Sequence, residues 1–129
     1  MIRKHWDKKY NETHKEERAA HRAWMKENDK HYNASALVRR YRQSDLLYNR
    51  GECTITAEWV EEHIYTSRCF YCGCDDWHLL GCDRINNLKP HTPENVVPCC
   101  KRCNELRQRR DFKSFFLERF TETQVQDQL

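Results

Sequence analysis

Two Cys-x-x-Cys pairs, Cys69/Cys72 and Cys100/Cys103, constrain this chain more than any other feature. Each pair is a knuckle that offers two thiolates to one tetrahedral Zn²⁺, and the stretch between them is long enough for a hairpin that brings the pairs together. Four sulfur ligands close the coordination shell, so the zinc expected here is structural. Disulfides are the competing reading. Two-residue spacing, no secretory leader and a chain that is not a small all-loop scaffold favour the metal. Cys53, Cys74, Cys82 and Cys99 are left over, and Cys99 could replace its neighbour Cys100 as a ligand.

Composition explains why a staple is needed. With 33% charged and 38% hydrophobic residues, 129 residues supply a thin core for one domain's worth of chain. A structural zinc contributes on the order of 10 kcal/mol to folding, comparable to a whole domain's stability. No stretch approaches a membrane span, and eight cysteines without a leader point to a reducing, cytoplasmic setting.

Between the knuckles, Leu79-Leu80 runs into Gly81-Cys82-Asp83, a short apolar strand that ends in a carboxylate. Lys89 to Pro93 is a turn-rich loop, and Val96-Val97 is a second strand stopped by Pro98. Nothing interrupts a helix from about Cys100 to Arg110. Asp83 and Asn104 would then converge on one cation, with Gln108 one turn further along the same helix face. A carboxylate and amide oxygens are hard ligands that suit Mg²⁺ or Mn²⁺. Taken singly, Asp83 reads better as a turn cap and Asn104 as a helix-surface residue; taken together inside the cysteine bracket they read as a metal site.

Three motifs in this order carry a resemblance: Cys69-Phe70-Tyr71-Cys72-Gly73, then Gly81-Cys82-Asp83-Arg84-Ile85-Asn86-Asn87, then the run from Thr92 through Asn95 and Cys100-Lys101-Arg102-Cys103 to Asn104. From Cys69 to Phe120 the chain resembles the ββα-metal (HNH) endonucleases, in particular phage-type and restriction-type members with Asp-Arg where others carry a histidine. The resemblance implies an α+β fold with a small zinc-stapled ββα-metal core, and DNA phosphodiester hydrolysis. It also implies a bracing role for Asn95, the family's central Asn, which does no chemistry.

Arg84 stands where many members place the general base. A guanidinium cannot accept a proton near neutral pH, but it can clamp the scissile phosphate bidentately. His91 is the first candidate for the base, because its loop lies above the metal in the resembling folds and imidazole titrates near working pH. His78 is the second, and a metal-bound hydroxide the third.

Residues 1–50 hold 13 Lys/Arg against 7 Asp/Glu, while the remainder is net negative. This divides the chain into a basic helical arm over 1–50 and a nuclease domain over 51–129. The arm is expected to track DNA through Arg39, Arg40 and Arg42, and Lys101 and Arg102 are expected to help from the core. From Arg3 to about Asn33 it reads as an exposed helix carrying Trp6, Tyr10 and Trp24; a second helix presents Leu37, Tyr41 and Tyr48 and ends at Gly51. Thr56 caps a short helix that buries Trp59 and Ile64. Asp111 or Ser114 opens a last helix with Phe112, Phe115, Phe116 and Phe120 facing the core, and the tail from Thr121 is frayed.

The function expected is metal-dependent DNA cleavage in a host or phage-infected cell, with no membrane partner. A zinc-stabilised DNA-binding module without activity is the alternative, and a thiol redox protein lacks the expected βαβ context. The sequence leaves open DNA preference, and whether a homodimer supplies two sites for two strands.

Overall fold

The computed structural model describes residue 9 and residues 12–119; Trp6, Tyr10, Phe120 and the tail from Thr121 lie outside them. The fold is α+β. Helices α1 (Lys15–Asn28) and α2 (Lys30–Leu47) precede α3 (Ala57–His63). A 3₁₀ turn (Trp77–Leu79) leads into β1 (Leu80–Arg84), which pairs with β2 (Val96–Cys100) before α4 (Lys101–Arg107) and a helical run α5 over 112–119.

The long arm helix expected to reach Asn33 breaks at Asp29. Its carboxylate accepts from Tyr32 N–H and caps α2, while Asn33 Nδ2 donates to the carbonyls of Lys26 and Asp29, both at 2.8 Å. Helix α1 buries no residue, as an exposed helix should. Helix α2 does not stand apart: Ala34 and Val38 join the core with Ile55, Val60, Ile64, Leu80 and Phe115. Residues on either side of position 50 thus share one core. Tyr41 reaches furthest, since its hydroxyl accepts from Cys82 N–H at 2.8 Å. A Cβ at Gly81 would stand 2.8 Å from that hydroxyl, so only glycine admits the approach.

Strands β1 and β2 are antiparallel, with Asp83 opposite Val97 and Cys82 opposite Pro98. Pro98, expected to stop the strand, lies inside it. Its partner Cys82 sends its N–H outward to Tyr41, so the missing Pro98 N–H also faces away from the ladder, and the Pro98 carbonyl accepts from Phe70 N–H of the first knuckle at 2.8 Å. Thr56 caps α3 through Trp59 N–H, and Asp111 accepts from Ser114 N–H. Phe115 is buried while Phe112 and Phe116 pack around it, giving the aromatic core face read from the sequence.

Candidate functional site

The first knuckle turns at Gly73, whose φ of 79° suits glycine. Cys69 N–H donates to the Cys74 carbonyl, and Gly73 N–H to the Cys69 carbonyl, so the backbone curls and turns its thiols inward. The second knuckle lies where β2 becomes α4, and Cys100 Sγ accepts from Cys103 N–H. The sulfur atoms of Cys69, Cys72, Cys100 and Cys103 all lie within 4.8 Å of one another. Cys72 and Cys100 are 3.6 Å apart, close to the roughly 3.8 Å edge of a tetrahedron with metal–sulfur bonds of about 2.3 Å. Four cysteines so placed can hold a structural metal such as zinc. Cys99 is not a fourth ligand: its Sγ faces the Cys100 carbonyl at 3.3 Å. A side-chain hydrogen bond with the Cys99 thiol draws Cys69 down to about 4, whereas burial pushes Cys72 up to about 11.

Asp83, buried in β1, is tied to the first knuckle through Tyr71. Its Oδ2 accepts from Tyr71 Oη and from Arg107 Nη1, the latter at 2.6 Å. Arg107 is fully buried, and it also donates to the carbonyls of Arg84, Ile85 and Arg110, so α4 is locked to the β1 end. Neither partner was foreseen. Asp83 Oδ1 takes no hydrogen bond among the described residues and is not sealed from solvent. Asn104, one turn before Arg107, is exposed. Gln108 closes α4: its N–H still donates to the Asn104 carbonyl at 3.1 Å, but its φ of 50° ends the helix there. By donor chemistry, Asp83 Oδ1 and Asn104 suit a hard divalent cation that keeps most of its waters; the Arg107 charge weighs against one.

His91 sits in the loop between the strands, and that loop is held from inside by buried Asn95. The Asn95 amide oxygen accepts from Asn86 N–H at 2.9 Å, and its amide nitrogen donates to the carbonyls of Asn86, Lys89 and Pro90. This is the brace expected of it. His91 itself is only 5% exposed. Asp45 Oδ2 of α2 accepts from His91 N–H and lies as close to His91 Nδ1, each at 2.9 Å. Tyr41, one turn earlier, stacks on the imidazole with centroids 4.0 Å apart and planes 11° from parallel. Burial, with the charges of Arg84 and Arg50, holds the His91 pKa below its ordinary value, against the opposing pull of Asp45. Burial alone would raise Asp45, but the His91 and Arg50 hydrogen bonds outweigh it and leave its carboxyl below the usual range. The imidazole is therefore neutral near pH 7.

Neither Asp45 nor Tyr41 was singled out for chemistry from the sequence. Asp45 carried one signal, a lone carboxylate on the apolar side of α2, four residues from Tyr41.

His78, the second base candidate, is spent on structure. Its Nε2 lies 2.6 Å from the Glu27 carbonyl and its Nδ1 3.0 Å from Asp76 Oδ1. The Glu27 carbonyl, then Asp76, raise its pKa, so at a given pH less of the ring is free to accept a proton.

Arg84 lines a cleft of about 980 Å³ with Arg50, Arg107, Arg109 and Lys113 around it and Tyr48 and Leu88 at its margin. Arg39, Arg40 and Arg42 are exposed on α2, and Arg39 and Arg42 border a separate depression against Thr56 and Glu58. Lys101 and Arg102 are exposed at the start of α4. The densest cationic lining thus comes from Arg50, Arg84, Arg109 and Lys113, three of which the sequence reading passed over. Among the described residues no helix is long and apolar enough to cross a membrane. No protein-family model, no curated protein and no solved structure matches this chain.

Proposed function

We propose that the protein is a metal-dependent DNA endonuclease of the ββα-metal (HNH) kind, stapled by zinc at Cys69, Cys72, Cys100 and Cys103. The observation that carries this reading is His91: a buried, neutral imidazole oriented by a carboxylate and set beside Arg84, which lines a cleft rich in cations. A neutral imidazole is matched to taking a proton at working pH. The cleft is matched to a polyanion, because a row of guanidinium and ammonium groups replaces counterions along a phosphate backbone.

In the reaction, His91 Nε2 takes a proton from water, and the water oxygen forms a bond to phosphorus. The P–O bond to the leaving oxygen breaks, that oxygen takes a proton from solvent, and the products are a phosphomonoester and an alcohol. Arg84 neutralises charge on the non-bridging oxygens as it develops. Asp83 and Asn104 would hold Mg²⁺ or Mn²⁺, which when bound supplies Lewis-acid stabilisation of that charge. Asn95 keeps the His91 loop in place throughout.

Supercoiled plasmid incubated with zinc-loaded protein should be nicked when Mg²⁺ or Mn²⁺ is added and stay intact in their absence. The Arg107 guanidinium on Asp83 favours one competing reading, a zinc-stabilised DNA-binding module without chemistry. DNA that is bound but never cut, across a series of divalent ions, would establish that module instead.

A further inference from the structure

Helix α2 was expected to contribute affinity for DNA, yet its inward face holds His91 through Asp45 and Tyr41. Asp45 is 1% exposed. Oδ2 faces the backbone and the ring of His91, and Oδ1 accepts from Arg50 Nη1 at 3.2 Å. An ionised carboxylate can only accept hydrogen bonds, so the imidazole nitrogen facing it must carry the hydrogen. In the neutral ring that leaves Nε2 bare. Nε2 takes no hydrogen bond among the described residues and is not sealed from solvent. Ring rotation is also blocked, because the ring lies flat on Tyr41, whose hydroxyl is fixed by Cys82 N–H.

We propose that Asp45 is a positioning residue that fixes His91 as its Nδ1–H tautomer, clamped against Tyr41, so that Nε2 is the proton acceptor of the site. The assignment rests on the nuclease reading for its consequence in rate, but not for the tautomer itself. A mere strut between α2 and the loop would be satisfied by the bond from His91 N–H to Asp45. The second bond, to the ring, is what a strut does not require.

The charged and titratable groups facing the ring are Asp45 and Tyr41 from α2, Arg50 just beyond it, and Arg84 from β1. Of these only Asp45 raises the affinity of His91 for a proton. Asp45→Asn keeps the shape of the side chain but removes that charge. The acid limb of the rate profile should therefore move to lower pH, while the maximal rate falls by about 10²-fold because the amide no longer enforces the tautomer.

The test uses the full zinc-loaded chain with ¹⁵N-labelled histidine, the His91 signals being identified by their loss in His91→Gln. In the wild type above pH 7, Nδ1 should carry the hydrogen and Nε2 should show the shift of a bare ring nitrogen. In Asp45→Asn that pattern should be lost, nicking should slow by about 10²-fold, and DNA affinity should change less than about twofold, since Asp45 is buried and touches no phosphate. An Nε2–H tautomer in the wild type overturns the proposal, and it does so even if the variant fails to fold. Asp45→Asn with the wild-type rate and an unmoved acid limb also overturns it. A wild type that nicks no DNA under any divalent ion, yet holds His91 as Nδ1–H, sinks the nuclease reading and leaves the Asp45 assignment standing.

Discussion

Asp83 answers to two demands at once. One oxygen is committed to Tyr71 and Arg107, and the other, without a hydrogen bond among the described residues, is the one a cation would take under the proposed function. The committed side is structural. Arg107 is fully buried, and replacing it with methionine would strand the Asp83 carboxylate, which should cost about 3–5 kcal/mol of stability. Asn104 is the contrasting case: exposed on α4, its loss to alanine should change stability by less than about 0.5 kcal/mol. If it holds the divalent ion, the same change should slow nicking by about 10²-fold or more. Urea melts of both variants, paired with nicking rates, separate the two roles, and an Asn104→Ala protein with normal rate would remove Asn104 from the ligand set. These residues differ in how much the sequence could say about them. Motif spacing was enough to single out Asp83 and Asn104. Arg107 looked like one more basic residue in a charged helix, because the sequence does not say that its guanidinium turns inward across the sheet. Asp45 was hidden for the same reason, its partner lying far along the chain from it.

At the level of elements, the four-cysteine cluster joins three pieces that are otherwise held by the Tyr71 and Arg107 bonds to Asp83, the Phe70 bond to Pro98 and a thin core. The first knuckle, the end of β2 and the start of α4 meet at Cys69, Cys72, Cys100 and Cys103, and the sheet there is only two strands wide. An isolated hairpin of that size is marginal in water. Removing zinc with a strong chelator at neutral pH should therefore unfold the hairpin and α4 cooperatively, because the metal supplies on the order of 10 kcal/mol. Cys103→Ser should do the same, whereas Cys53→Ser, a buried thiol outside the cluster, should cost only about 1–2 kcal/mol. Circular dichroism and elemental analysis check this, and a folded Cys103→Ser protein without metal would refute the staple. The knuckles, both strands and the caps at Thr56 and Asp111 were legible because each depends on local chemistry. The break at Asp29 and the end of α4 at Arg107 were not. Runs of good helix formers gave no local stop, and it was the capping bonds of Asp29 and the positive φ of Gln108 that set those ends.

For the whole molecule, the proposed function raises the question of which of two basic surfaces would meet DNA. Charge counted along the chain points to the arm, and charge arranged in space offers a second candidate. Arg50 ends the arm, Arg84 ends β1, and Arg109 and Lys113 follow α4, so residues distant in sequence line one cleft. Arg39 and Arg42 border a different depression. Counterion release gives each phosphate contact a measurable weight: the slope of log affinity against log salt is about −0.9 per neutralised phosphate on duplex DNA. Arg109 and Lys113 are exposed and have no place in the proposed chemistry, which makes them clean probes of the path. If the backbone runs through the cleft, Arg109→Ala combined with Lys113→Ala should flatten the salt slope by about 2 while the divalent-ion requirement for nicking persists. Arg39→Ala combined with Arg42→Ala should leave the slope unchanged. The reverse result, a slope flattened only by the Arg39 and Arg42 pair, would move the DNA path onto the outer face of α2. Nicking would then require the strand to bend over the helix end to reach Arg84, and a flexible or gapped duplex should be cut faster than a rigid one.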